Sequence, residues 1–126
     1  MPVSWTIDAE NRRVLARLVG DVQLHEMLDV ITASTEDPRY RPGFDILSDH
    51  TQVGRVVDTG QVHAVVAHLQ ALADRLAGSR WAIYTRKPAS FGMMRMLAVY
   101  AEKVPMHVRV FRTAHEAQAW LASPRK

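Results

Sequence analysis

The sequence predicts a mixed α/β fold in which four helices pack on a five-stranded sheet, in the element order ββαβαβαβα. Three observations support this prediction. Two strand-like segments lie at the N-terminus, separated by a short polar turn. Strand-like and helix-like apolar patterns then alternate from residue 44 onward. This alternation favours parallel pairing through right-handed crossovers, so the N-terminal hairpin is expected to add an antiparallel edge.

The hairpin is predicted from two different apolar patterns. Val3, Trp5 and Ile7 alternate with polar residues, as in a half-buried strand. The return strand, Arg13 to Val19, is apolar at most positions. This composition predicts a strand inside the sheet with both of its faces covered.

The first helix and the third strand follow this hairpin. Asp21 is a candidate N-cap, because a carboxylate there can accept a backbone N–H of the first turn. The apolar face of the helix consists of Leu24, Met27, Leu28 and Ile31. The third strand is predicted over Phe44 to Ser48, and a polar loop over Asp49 to Val57.

A long second helix is predicted next. Asp58 and Gln61 have the spacing of a capping box at its start. Its apolar stripe consists of Val62, Val65, Val66, Leu69, Leu72, Ala73 and Leu76. Gly78 is expected to end the helix in the C′ position.

The remaining elements are two strands and two helices. Strands are predicted over Arg80 to Thr85 and over Met106 to Phe111. Between them, Ser90 is the expected N-cap of the third helix, which stops before Pro105. Thr113 begins the capping box of the last helix. The inward-facing residues are predicted to be Met93, Met96, Leu97 and Tyr100 in the third helix, and Ala117, Trp120 and Leu121 in the fourth.

Length and composition predict one domain over residues 1–126, of ordinary globular composition with 48% hydrophobic and 23% charged residues. Cysteine is absent, which excludes disulfides, thiolate catalysis and cysteine-based metal sites. Neither a signal peptide nor an apolar run of about 20 residues is present, so we expect a cytoplasmic protein without a transmembrane segment. The net charge of +3 is spread along the chain rather than focused, which disfavours nucleic acid as a partner.

Two local segments resemble uncharacterised SpoIIAA-like proteins. Residues 90–96, SFGMMRM, are similar to their FGM-x-RM helix start. Residues 108–112, VRVFR, followed by EA-x-x-WL at 116–121, are similar to their closing segment. With its element order, the chain is identified as a member of the SpoIIAA-like, or STAS-like, superfamily over nearly its whole length. The resemblance implies that fold, a relation to CRAL-TRIO lipid-binding domains, and a non-enzymatic regulatory or protein-binding role.

The STAS resemblance also implies a candidate partner site. In the anti-sigma-factor antagonists of this class, a serine in an Asp-Ser-Ser-Gly loop is phosphorylated to control partner binding. The corresponding stretch here is Asp58-Thr59-Gly60, and a phosphate on Thr59 would face the positive end of the helix dipole. With Asp49 and His50, these residues form the candidate docking site for a protein. The hypothesis predicts that Thr59→Glu weakens partner binding.

A small lipid or organic anion is the alternative ligand. Ser90, Phe91 and Gly92 open the predicted third helix, where backbone N–H groups can meet an anion, and Arg95 lies one turn on. Met94, outside the predicted inward stripe, would add an adaptable apolar contact. This hypothesis requires a cavity on the order of several hundred Å³ beside Arg95.

Catalytic and metal sites are not predicted. Asp49 and His50, expected at the carboxyl end of the third strand, have no nucleophile or third partner for acid–base work. His63 and His68 are separated by about 140° around their helix and cannot share a metal on one face. No cofactor is expected. The N-terminal hairpin leaves an edge strand that is free to pair in a homodimer.

Overall fold

The computed structural model describes residues 2–55 and 57–124 and has five strands and five α-helices in these ranges. In chain order the elements are β1 (Val3–Asp8), β2 (Arg13–Gly20), α1 (Leu24–Glu36), β3 (Asp45–Val53), α2 (Thr59–Ala71), α3 (Ala73–Leu76), β4 (Arg80–Tyr84), α4 (Pro88–Tyr100), β5 (His107–Phe111) and α5 (Ala114–Ala122). A 3-10 turn over Ala101–Lys103 follows α4. The predicted mixed α/β class is confirmed.

The strands lie side by side in sequence order, β1-β2-β3-β4-β5. β1 pairs with β2 antiparallel, and every other neighbouring pair is parallel. The predicted arrangement of a hairpin at the edge of a parallel sheet is therefore correct. It leaves β1 and β5 as the two edge strands.

Two hydrophobic layers sandwich the sheet. The larger layer lies between the sheet and helices α1, α2 and α4, and its most buried members include Val14, Leu69, Leu76, Ile83 and Leu97. The smaller layer lies under α5, and consists of Leu47, Ala82, Ala117 and Leu121 with half-buried residues around them. Because α5 covers only part of its face, the opposite side of β1 and β2 is largely open.

The prediction that both faces of β2 are covered is wrong for this reason. Val14 and Leu18 are buried under the helices, whereas Arg17 and Val19, on the other face, are exposed. The strand does lie inside the sheet, between β1 and β3. Burial along β2 thus alternates as in a strand with one solvated face.

The predicted polar loop over Asp49 to Val57 is also wrong at its start, because β3 continues to Val53. Arg17 pairs with Asp49 but Val19 pairs with Gln52, so β3 contains one extra residue at this point. Such a bulge shifts the alternation of side chains by one position. Because β3 extends to Val53, Asp49 and His50 lie within the strand and not in a loop. Of the remaining loop, Val56 lies outside the described residues.

Two predicted N-caps differ from those observed. Gln23, not Asp21, is the N-cap of α1, and its backbone N–H donates to the Glu26 carboxylate. In α4, Lys87 is the N-cap, because Pro88 takes the first helical position and its fixed φ suits the first turn. Ser90 lies inside the helix rather than at its cap.

The predicted starts of two other helices are correct. The Asp58 carboxylate accepts the backbone N–H of Gln61, whose side chain accepts the N–H of Asp58. Thr113 accepts the backbone N–H of Glu116 at the start of α5, but the Glu116 carboxylate accepts from the Thr113 hydroxyl instead of its backbone N–H, so the predicted capping box is only half formed. The long second helix is divided at Leu72 into α2 and α3, which accounts for five helices instead of four.

Candidate functional site

Asp49 and His50 are neighbours in sequence but point to opposite faces of the sheet. His50 is buried among the residues that face the helices, and Asp49 is half-buried on the side of α5. They are consecutive residues of the strand β3, in which successive side chains point to opposite faces. The two groups do not converge on one space, and the acid–base pair suggested by the sequence is not formed.

His50 belongs to a buried polar chain. The Trp81 indole N–H donates to the Ser48 hydroxyl oxygen over 2.8 Å, and the Ser48 oxygen lies 3.0 Å from His50 Nε2. The Ser48 oxygen has two lone pairs, so its hydroxyl can accept from the indole and either donate to His50 Nε2 or accept from it, according to which imidazole nitrogen carries the proton.

Burial lowers the pKa of the His50 imidazole from 6.5 to about 4, and the nearby Asp49 carboxylate only partly opposes this shift. The physical cause is the loss of water around the charged imidazolium. His50 is therefore uncharged at neutral pH.

The spaces beside His50 are small. A cavity of about 40 Å³ lies against α1, with Val14, Leu18 and Trp81 in its wall. A second, of about 20 Å³, is lined by His50, Ser90 and Met94 together with residues of α1 and β3. An engineered cavity that binds benzene measures about 150 Å³, so these spaces suit water more than an organic ligand.

Asp49 lies in a row of side chains that crosses the sheet on the face of α5. It pairs in register with Arg17 on β2 and with Tyr84 on β4. Burial raises the pKa of the Asp49 carboxyl, but hydrogen bonds from Thr51 and Tyr84 outweigh burial and leave the pKa below its usual value. The Thr51 backbone N–H and hydroxyl donate to it over 2.8 and 2.6 Å. The carboxylate is satisfied within the strand pair, as in a structural site.

The other part of the predicted partner site is exposed. Asp58, Thr59 and Gly60 form the solvent-facing start of α2, where the Asp58 carboxylate caps the helix. His50 is buried on the helix side of the sheet and Asp49 faces α5, so the five candidate residues do not form one surface. The phosphorylation of Thr59 stays a prediction.

The predicted anion site at the start of α4 is divided between two places. Ser90 and Met94 point inward, and the Thr85 hydroxyl donates to Ser90 over 2.9 Å. Phe91 and Arg95 instead line an open groove, and Gly92 is exposed with no neighbour near its Cα. Met94 is 3% exposed, whereas Met93 and Met96 are half-buried, so the prediction that Met94 points outward is wrong.

The groove that contains Phe91 and Arg95 has a volume of about 1240 Å³. We call it the β5 groove, since β5 forms its floor. One wall is the stripe Phe91, Arg95 and Val99 of α4, continued by Glu102. The other wall carries Trp120 of α5.

The floor of the β5 groove is an edge strand. The His107 N–H donates to the Ser79 carbonyl, and the Phe111 carbonyl accepts from Thr85, each over 3.0 Å. Backbone groups alternate in direction along a strand, so those of Val108 and Val110 point away from β4. Within residues 2–55 and 57–124, β5 pairs with β4 alone.

Comparison with solved structures decides the fold family. An uncharacterised DUF3478-family protein from Shewanella loihica with a SpoIIAA-like fold superposes on this chain with a TM-score of 0.64. The match covers 95% of this chain and 94% of the other at 14% sequence identity. The fold is SpoIIAA-like. The resemblance inferred from residues 90–96 and 108–121 is thereby confirmed at the level of fold. No family model and no curated protein matches the sequence.

Two kinds of site are not found in the described part of this SpoIIAA-like domain. Its histidines and carboxylates nowhere gather in threes in a geometry that would hold a metal ion. Its helices include none with the length and apolar character to cross a membrane.

The sequence interpretation missed the β5 groove of this SpoIIAA-like domain. Its residues come from α4, β5 and α5, and no contiguous motif contains them. Two patterns point to it in retrospect. Phe91, Arg95 and Val99 recur at helical spacing on a face separate from the buried one. From His107 to Phe111, basic or aromatic residues alternate with valine, and charges of this kind are typical of edge strands.

Proposed function

We propose that this domain is a non-enzymatic protein-binding module that holds an extended segment of its partner along the free edge of β5. The observation that supports this proposal is an unpaired strand edge at the floor of a groove of about 1240 Å³. Proteins that bind peptides by strand addition use the same two parts, since main-chain hydrogen bonds give affinity and flanking pockets give specificity.

The structure favours a protein partner over the small-ligand alternative. The cavities beside Ser90, Met94 and His50 measure only about 40 and 20 Å³. Pockets that enclose small ligands measure about 300–1,000 Å³. The space beside Arg95 is large enough, but it is an open groove and does not surround a ligand.

A library of random dodecapeptides displayed on phage tests the proposal. Selected peptides are expected to shift the NMR signals of backbone amides at His107–Phe111 in the labelled domain. Val110→Pro removes an outward N–H while leaving the pairing with β4, and edge strands accept proline. Loss of this backbone hydrogen bond should weaken binding by about two- to tenfold, measured by fluorescence anisotropy.

Thr59→Glu is the matched second variant, because it alters the exposed start of α2 and leaves the β5 groove intact. We expect it to bind the selected peptides as the unmodified protein does. Peptides that lose affinity for Thr59→Glu but not for Val110→Pro would move the docking site to α2. A library that yields no binding peptide would refute the proposed function.

A further inference from the structure

The two sides of the β5 groove differ in chemistry. On the α4 side, Val99 is 59% exposed, more than any other large hydrophobic side chain among the described residues. Val108 and Val110 pack toward the same side and are half-buried. Val99 and the exposed parts of the two half-buried valines give this half of the groove an apolar surface.

The α5 side is cationic. The Arg109 guanidinium lies 5.2 Å from the Phe111 ring centroid and 5.5 Å from that of Trp120. His107 projects from the same face of β5, two residues before Arg109. Stacking on two rings holds the Arg109 charge at a defined place on the wall while its N–H donors stay available.

Arg80 lines the groove and pairs with Asp45, but the exposed arginines of the groove lack acidic partners among the described residues. The ion pairs in the described ranges involve Arg39, Arg75 and Arg80. Arg109 and Arg95 are exposed, and neither contacts a carboxylate there. Arg112 stacks on Phe91 at 4.1 Å, again without a carboxylate. Glu102 is the acidic residue among those that line the groove.

From this charge distribution we infer that the β5 groove binds an acidic segment in which carboxylate and apolar residues alternate. This inference rests on the proposed function and names the chemistry of its partner. Successive side chains of an added strand point to opposite faces of the sheet. The side chains on one face of the added strand would meet Arg109 and His107. Those on the other face would meet Val99 and the β5 valines. Only a peptide backbone satisfies the strand edge and this alternation together, which favours a protein over nucleic acid.

Synthetic peptides of equal length test the inference. The probe is an acetylated, fluorescein-labelled nonapeptide in which Glu and Val alternate. One control replaces Glu by Lys, and a second groups the Glu residues in a block, keeping the composition. We expect the alternating Glu peptide to bind at least about tenfold more tightly than either control, with affinity that falls as salt is added.

Arg109→Glu is the decisive variant, since Arg109 is exposed and its replacement leaves the core intact. It should weaken binding of the alternating Glu peptide by at least about tenfold and improve binding of the Lys peptide. Arg12→Glu, which makes the same charge change in the exposed turn between β1 and β2, should leave both affinities nearly unchanged.

The outcomes separate this inference from the function on which it rests. Equal binding of the Glu and Lys peptides, or no effect of Arg109→Glu, refutes the inference that the bound segment is acidic. If displayed peptides bind at β5 without carboxylates, strand addition stands and the acidic class fails. Failure of every peptide refutes both. Displacement of the Glu peptide by a single-stranded oligonucleotide that itself loses affinity for Arg109→Glu assigns the groove to nucleic acid instead.

Discussion

Replacing Asp45 by alanine is expected to lower the free energy of unfolding by about 3–5 kcal/mol. Asp45 and Arg80 are 4% and 8% exposed, and Asp45 Oδ2 lies 3.3 Å from Arg80 Nη2. Removal of the carboxylate would leave a buried guanidinium without its counter-charge. Urea unfolding followed by circular dichroism measures the change.

The Arg80 guanidinium also joins the sheet to the end of α5. It donates to the carbonyls of Trp120, Leu121 and Ser123 over 2.9, 2.6 and 3.0 Å. The last carbonyls of a helix have no partners within the helix and carry partial negative charge, so a cation there is stabilising. Loss of Asp45 therefore also affects the helix that forms one wall of the β5 groove.

Glu36→Ala is the matched control for the loss of a carboxylate. Glu36 Oε2 lies 3.6 Å from Arg75 Nη2, but the Glu36 side chain is 58% exposed. Exposed ion pairs contribute about 0–1 kcal/mol. If Asp45→Ala fails to fold, Asp45→Asn keeps a hydrogen-bond acceptor for the Arg80 backbone N–H and should unfold at intermediate stability. A cost for Asp45→Ala no larger than that for Glu36→Ala would contradict this account.

Most of the fold could be predicted from local sequence patterns. The N-caps Asp58 and Thr113 could be identified from the sequence because each accepts a backbone N–H only three residues further along. The end of β3 could not be predicted, since Asp49 to Gln52 are polar and the bulge breaks the alternation that identifies a strand. Tertiary contacts hold these polar residues in the sheet. His50 is covered by helices, and Asp49 is bonded by Thr51 and paired with β2 and β4.

The candidate functional sites, too, could not be predicted from local sequence patterns alone. Ser90 has the residue type of an N-cap, but Pro88 begins the helix earlier and turns Ser90 toward the buried hydroxyl of Thr85. That shift separates Ser90 from Arg95, which the sequence placed in one anion site. The β5 groove depends on the packing of α4 and α5 beside an edge strand. Sequence spacing within one element carries little information about such a surface.

The buried imidazole of His50 should make the stability of the domain dependent on pH. Its pKa is about 4 in the folded protein, against 6.5 for an unperturbed histidine. Between these values the unfolded chain binds a proton that the folded chain does not, so stability falls as the pH decreases. Above about pH 6.5 both states are neutral at this residue and the effect vanishes.

The expected loss is about 3 kcal/mol once the pH has fallen from 7 to near 4, at 1.36 kcal/mol for each unit of pKa difference. His50→Gln removes the titrating group and keeps an amide that can donate to the Ser48 hydroxyl or accept from it. We expect the unfolding free energy of this variant to change much less than that of the unmodified protein between pH 7 and 4.5. Urea unfolding at several pH values gives the comparison.

His115→Gln provides the control, because His115 is exposed on α5 and lies outside the buried network. It should keep the pH dependence of the unmodified protein. The carboxyls of Asp8, Asp37 and Asp49 have lowered pKa values in the fold, so their contributions are lost only as the pH falls through about 4 and below. A His50→Gln variant that loses as much stability between pH 7 and 4.5 as the unmodified protein would show that His50 titrates freely in the fold, and that the chain from Trp81 to His50 is open to water.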